Sequence, residues 1–298
     1  MTAAPDLAPP LRLTRAQPAA AEAWLAGLPE LVVRLTREWE LSVERVAAPG
    51  GRTSMTVLVR RADGTPAALK LCAPGHSAAQ EAAALARWDG HGAVRALEAA
   101  PDAGALLLER LHGETSLRSL PETKAMLEAV SALHRLWVDP GAGHPFPTVA
   151  ERTAGLTADA ELPEGAGPLI AEALAARAEL LAGPPEELLL HGDFRQGAVL
   201  ACDTGRAPWL AVGPDPVVGE RAYDLARLSR DRLHDLTASA GAPAITRRRM
   251  TKLAASVEVD PERLRGWTLF RAVESGVRAH AEDRRRDAEA LLEFAAWL

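Results

Sequence analysis

The sequence predicts an α+β chain in which a small antiparallel sheet carrying one inserted helix is followed by a larger, mainly helical part. Three observations predict it. From Leu41 to Cys72 apolar residues alternate with a period of two, broken by turn residues at Pro49-Gly50-Gly51 and Asp63-Gly64. Beyond Gly113 the period turns helical, with Met126, Leu127, Val130, Leu133 and Leu136 three or four apart. That helical texture is interrupted once, between Leu188 and Gly213, by short apolar runs.

In order along the chain, residues 1–40 read as a Pro- and Ala-rich extension leading into a helix. Leu41–Ala48, Met55–Arg61 and Pro66–Cys72 read as three antiparallel strands joined by short turns. Ser77–Trp88 is Ala-rich and helical, and after Gly90-His91-Gly92 two further strands are expected at Ala93–Glu98 and Ala103–Leu111. Helices follow at Glu122–Trp137 and Leu169–Leu181. Leu188–His191, Ala198–Cys202 and Pro208–Gly213 read as short strands in a hairpin with an Asp203-Thr204-Gly205 turn, and helices resume from Tyr223 to Leu298. The expected organisation is an extension at 1–40, a small sheet at 41–111 and a mainly helical part at 112–298; the resemblance given below implies that the latter two are lobes with a hinge near 109–113.

Composition excludes several classes of function. The 298 residues hold 34 basic and 40 acidic side chains, a net charge of −6, which argues against a general nucleic-acid binder or a protein held on anionic lipid. No apolar run approaches the roughly 18 residues of a membrane span, and Asp6, Pro9 and Pro10 break the early apolar letters, so a cytoplasmic protein is expected. Cys72 and Cys202 each sit in an apolar run and read as reduced thiols, not as a disulfide or zinc site. The runs Arg247–Arg249 and Arg284–Arg286 read as solvated helix faces.

The informative feature is the order of polar residues. A Gly-rich turn (Pro49, Gly50, Gly51, Arg52, Thr53, Ser54), a strand ending near Lys70 and a helix carrying Glu81 follow in the order a nucleotide site needs. Glycines let backbone amides approach phosphate oxygens, the lysine supplies a point charge, and the glutamate holds the lysine. A plainer reading makes Gly50-Gly51 a hairpin turn and Lys70 a strand-end charge. Further on, Leu188-Leu189-Leu190 leads into His191-Gly192-Asp193, presenting a carboxylate on a loop between strands, where it can orient a hydroxyl and accept its proton.

ALKLCAP at 68–74, EAAALARWDGHGAVRALEA at 81–99, GALLLERLHG at 104–113, LLLHGDFRQGAVL at 188–200, WLAVGPDPVVGERAYDLARL at 209–228 and RLRGWTLFRAVES at 263–275 together resemble the aminoglycoside phosphotransferase superfamily, in its streptomycin and hydroxyurea kinase branch. The resemblance implies a two-lobed, protein-kinase-like fold, ATP held in a cleft, and transfer of its terminal phosphoryl group to a hydroxyl of a small molecule. Carried over by position, it implies that Lys70 binds phosphate with Glu81 as its helix partner, that Gly50, Gly51 and Ser54 belong to the phosphate-covering loop, that Glu109 to Leu111 form the hinge against adenine, and that Asp193 is the catalytic base. Asp224 is given a structural part as an ordinary helix cap.

Two positions depart from that pattern. The Asn that the family places five residues after the catalytic Asp is Ala198 here, and the chain contains no Asn. The metal-binding Asp at the end of the next hairpin strand is Gly213. No intact metal ligand set remains, and magnesium is the cofactor these departures set in doubt. Phosphoryl transfer relies on positioning and charge neutralisation, so the expected loss is on the order of three decades in rate. Asp215 is a candidate surrogate ligand, although Pro214 and Pro216 hold it stiffly and a surface carboxylate is its plainer fate. The sequence thus points to a nucleotide- or metabolite-binding pseudokinase; the alternatives are an active small-molecule kinase using Asp215, or altered chemistry without ATP. The expected partner is a small-molecule acceptor or metabolite, with no nucleic acid and no membrane. Asp231, Asp235, Glu274, Glu282 and Asp283 could face a cationic acceptor or be solvated helix faces.

Overall fold

The computed structural model describes residues 5–161, 166–203 and 205–298. Residues 1–4 of the extension and Thr204 of the expected hairpin turn lie outside the described residues. The chain opens with α1 (Leu11–Thr14) and α2 (Glu22–Glu38), passes through β1 (Ser42–Val46), β2 (Ser54–Arg60) and β3 (Pro66–Cys72) into α3 (Ala78–Trp88), and continues with β4 (Ala96–Ala100), β5 (Ala105–Glu109) and β6 (His112–Ser116). Then come α4 (Glu122–Leu136), α5 (Val149–Arg152), α6 (Gly167–Ala182), β7 (Leu188–Leu190), β8 (Val199–Ala201), β9 (Trp209–Ala211), β10 (Val217–Gly219), α7 (Arg221–Ser229), α8 (Leu233–Thr237), α9 (Ala242–Ser256), α10 (Pro261–Ala281) and α11 (Arg285–Ala295). Among the described residues no helix is long and apolar enough to cross a membrane.

Two compact units result: Met1–Thr115 with Leu200–Asp215, and Ser116–Val199 with Pro216–Leu298. In the first, five antiparallel strands run in the order β1-β2-β3-β5-β4. Met55, Val57 and Val59 of β2, Ala67, Leu69 and Leu71 of β3, and Ala105 and Leu107 of β5 are buried on one face. There they meet Leu28, Val32 and Leu35, spaced at three and four along α2. Side chains alternate across a strand, so Lys70, between Leu69 and Leu71, is carried to the opposite face. α3 begins cleanly because the Ser77 side chain accepts from the Gln80 amide at 3.2 Å.

Three sequence expectations shift here. The strand expected at Ala93–Glu98 starts at Ala96; the segment before it bridges the later hairpin instead, with Val94 N donating to Ala211 O at 2.9 Å and Ala211 N to Gly92 O at 2.8 Å. The polar run His112–Ser116 forms β6, which lies beside β8 in the order β6-β8-β9. These contacts place residues 200–215 with the first unit, where the sequence had assigned everything after 111 to the second.

In the second unit, α10 is apolar on most of its circumference: Leu264, Trp267, Leu269, Phe270, Ala272 and Val273 are all buried, as suits a central helix. Trp267 meets Tyr223 and Phe270 edge-on at 5.3 and 6.0 Å between ring centroids. Buried Glu220 accepts from Trp267 Nε1 and from two nitrogens of Arg263, each at 2.6 Å. β7 is not part of the hairpin expected for it; it pairs antiparallel with β10, a three-residue strand too short to signal itself. α5 crosses β10 so closely that a Cβ added at Gly219 would lie 2.3 Å from Val149 Cγ2. Gly219→Ala is therefore expected to cost roughly 1–3 kcal/mol of overpacking strain, read as a lower urea midpoint. Arg249 is not a solvated helix face: it donates to the carbonyls of Ser229 and Asp231 and pairs with Glu122.

Candidate functional site

The first unit brings Lys70 and Glu81 together. Lys70 Nζ donates to Glu81 Oε1 at 2.7 Å and to Oε2 at 2.5 Å, with both side chains largely buried. Burial works to lower the Lys70 pKa, but Glu81 outweighs it and Asp215 adds to the pull, so the ammonium is held above its usual range. Cys72 lies 3.7 Å from Glu81 Oε2, and burial pushes its thiol up to about 11, so it is inert as a nucleophile near neutral pH.

Gly213 lies beside this pair. Its φ is +64°, and a Cβ built on it would stand 3.9 Å from Lys70 Nζ. A carboxylate at this position would face the ammonium; glycine leaves only hydrogen there. Asp215 is half-buried and its charge acts on Lys70, so it is not the surface carboxylate expected from sequence.

The Gly50–Ser54 turn is fastened on both sides. Gly50 has φ +72°, with Pro10 Cγ 3.0 Å from where its Cβ would be. Gln17 Nε2 donates to Arg52 O at 2.6 Å, and Ala73 N to Thr53 O at 2.9 Å. Sequence reasoning gave the 1–40 extension no part in this loop, because proline and glutamine there carry no periodic signal. Glu109 accepts from the Arg95 amide at 2.9 Å and pairs with Arg206. Leu111 is half-buried, and its carbonyl accepts from Gly113 N at 3.0 Å.

The second unit presents the His191-Gly192-Asp193 loop at the end of β7. Asp224 organises it, but not as the helix cap expected: Glu220 occupies the N-cap position of α7, and Asp224 lies within that helix, fully buried. Its carboxylate accepts from His191 N at 2.9 Å, Gly192 N at 2.8 Å and Trp137 Nε1 at 3.3 Å. Charge-assisted bonds of this kind hold a loop firmly. Arg271 adds to the loop, donating to Gly192 O at 2.7 Å and Tyr223 O at 3.0 Å while stacking 4.2 Å over the Tyr223 ring. Asp231 accepts from Gln196 N at 2.5 Å and is buried, so it is not a solvated face. Glu274 is partly buried 3.6 Å from Arg278; Asp235, Glu282 and Asp283 are exposed, the last two paired with Arg284 and Arg285.

Asp193 is held by two guanidinium groups that the sequence did not reveal. Arg227 Nε lies 3.0 Å from Oδ1 and Arg195 Nε 3.1 Å from Oδ2. Removal from water works to raise the Asp193 pKa, but Arg227 first and then Arg195 and Arg271 outweigh it and hold the carboxyl well below the usual range. Ala198 is buried at the end of a 3-10 turn, Gln196–Ala198, and offers only a methyl group. Among the described residues no three His, Cys, Asp or Glu side chains are arranged to hold a metal ion. The side chains of Ala198 and Gly213 offer a metal ion no donor atom.

Comparison with known proteins agrees with the residues that carry the resemblance. The family model for aminoglycoside/hydroxyurea antibiotic resistance kinases matches residues 38–283. The chain is 36% identical over 283 residues to streptomycin 6-kinase of Streptomyces griseus, covering 90% of this chain and 91% of that one. It is 37% identical over 269 residues to hydroxyurea phosphotransferase of Kitasatospora aureofaciens, covering 86% and 74%. Among solved structures it resembles choline kinase LicA from Streptococcus pneumoniae, with a TM-score of 0.63, 13% identity and coverage of 91% and 99%; LicA has also been solved with AMP. The fold is thus α+β and protein-kinase-like, and the chain belongs to the aminoglycoside/hydroxyurea antibiotic resistance kinase family.

Proposed function

We propose that this protein is a pseudokinase of its family, binding a nucleotide or a small metabolite, with magnesium-dependent phosphoryl transfer weak or lost. The observation that carries the reading is Gly213: a hydrogen stands beside Lys70 where a metal-holding carboxylate would, while the Lys70–Glu81 pair is intact. In this reading Lys70 supplies charge to nucleotide phosphate oxygens and Glu81 keeps its ammonium in place. Gly50, Gly51 and Ser54 cover the phosphates, and Glu109 to Leu111 face the adenine. The AMP complex of the similarly folded choline kinase supports nucleotide binding here. Asp193 orients an acceptor hydroxyl; held ionised by Arg227 and Arg195, it is a weak proton acceptor. The names of the relatives, which act on streptomycin and hydroxyurea, support a small-molecule acceptor.

A second reading is an active kinase that uses Asp215 as metal ligand, favoured by the electrostatic pull of Asp215 on Lys70. Thermal-shift titration separates the two, since a ligand that binds only the folded state raises Tm. ATP and ADP are expected to raise Tm equally with and without magnesium. A shift that requires magnesium, removed by Asp215→Asn, would establish the second reading instead.

A further inference from the structure

Arg230 is 8% exposed and follows directly on α7; its Nη2 donates to Ser275 Oγ of α10 at 2.8 Å. Arg271, 7% exposed, lies four residues before Ser275 on α10 and so shares its face. The Nε–H groups of both arginines are buried and have no acceptor among the described residues. A guanidinium stays charged in a protein, so leaving its donors unpaired in the interior is costly. Arg227 lies three residues before Arg230, on the face that meets Asp193. At Arg230, burial is the strongest influence on the guanidinium's proton affinity, and repulsion from Arg227 and Arg271 outranks attraction to Asp193 and Glu274. Asp193 and Arg227 keep side-chain exposures of 38% and 21%, so the cluster is not sealed.

We infer that Arg227, Arg230 and Arg271 form an oxyanion site beside Asp193, and that the small molecule bound by this unit carries a phosphate, sulfate or carboxylate group. Buried unsatisfied donors in a native protein call for a partner, and a tetrahedral or planar oxyanion meets guanidinium donors in the right geometry. The acids that could have faced a cationic acceptor are engaged or exposed: Asp231 accepts from Gln196 N and lies 3.8 Å from Arg227, Glu274 lies 3.6 Å from Arg278 and also attracts Arg230, and Glu282 and Asp283 pair with neighbouring arginines. The inference rests on the proposed function only in taking the ligand to be the acceptor.

The test titrates sodium sulfate and inorganic phosphate against sodium chloride at matched ionic strength, without nucleotide, and reads Tm from tryptophan fluorescence. The wild type is expected to gain about 3 °C at an anion concentration ten times Kd. Arg230→Met is expected to lose that gain while its Tm in anion-free buffer stays at or above wild type, because it removes an uncompensated buried charge. Should Arg230→Met not fold, Arg230→Lys is the second variant: it keeps the charge but not the fork and should weaken anion binding about tenfold. Lys70→Met should keep the full response. A wild type that does not respond, a response unchanged in both Arg230 variants, or one abolished by Lys70→Met would overturn the site. An ATP shift that adds to the sulfate shift supports an acceptor anion; an ATP shift erased by saturating sulfate would overturn that assignment in favour of a nucleotide phosphate. A wild type that responds to sulfate but not to ATP supports the anion site and removes the nucleotide reading.

Discussion

Restoring both missing side chains, as Gly213→Asp with Ala198→Asn, is expected to produce magnesium-dependent consumption of ATP from a parent with little or none. The gain should be on the order of three decades in rate, the size of the metal's contribution to phosphoryl transfer. Gly213 is the decisive half, because its Cβ position lies 3.9 Å from Lys70 Nζ. Its φ of +64° lies in the left-handed region, which Asp adopts more readily than most residues, at a cost of roughly 1–2 kcal/mol. Ala198 is buried, so an amide there must find a partner, and metal coordination would provide one. Each single variant is expected to give less than the pair. A coupled ATPase assay with and without magnesium, with streptomycin or hydroxyurea as trial acceptors, decides it. No gain in the folded double variant would count against these two positions as the reason for the proposed pseudokinase.

Asp224→Ala is expected to be among the most destabilising substitutions in the second unit, costing about 3–5 kcal/mol and lowering Tm by about 10 °C. The carboxylate satisfies two backbone amides and an indole N–H, all in the interior. Alanine leaves three buried donors without an acceptor where His191 and Gly192 set the position of Asp193. Asp224→Asn, which keeps an acceptor oxygen and the shape, should cost less than half as much. Urea unfolding of the three proteins measures the order. If alanine and asparagine cost the same small amount, Asp224 does not hold the loop.

Much of this was legible in the residues, for physical reasons that also mark where legibility stops. β3 is found at Pro66–Cys72 as expected, because alternation and flanking turns both act within a few residues. The proximity of Lys70 and Glu81 followed from element order, since a helix entered directly from β3 returns over the same sheet face. β6 and β10 escaped notice: one is polar and the other three residues long, and both exist only through pairing with distant strands. The clamp of Arg195 and Arg227 on Asp193, and the reach of Asp224 back to the loop, depend on how α7 is rotated about its axis. A sequence dominated by arginine among its basic residues does not distinguish a buried fork from a solvated one. Arg249 shows the same blindness, lying in a run that reads as surface yet serving three partners.

The 200–215 hairpin has a consequence for any attempt to dissect the chain. The polypeptide passes between its two units at 115/116, 199/200 and 215/216, so neither unit is a continuous stretch of sequence. A fragment ending at Thr115 would keep most of β6 but lose β8 and β9, exposing an unpaired strand edge and leaving Ala93 without its bridge to Ala211. Such a piece is set up to aggregate, whereas grafting 200–215 back through a linker would close the edge. Gly213 travels with that hairpin. Position 213, which lies beside Lys70, is thus encoded nearly a hundred residues after the first unit's main segment ends.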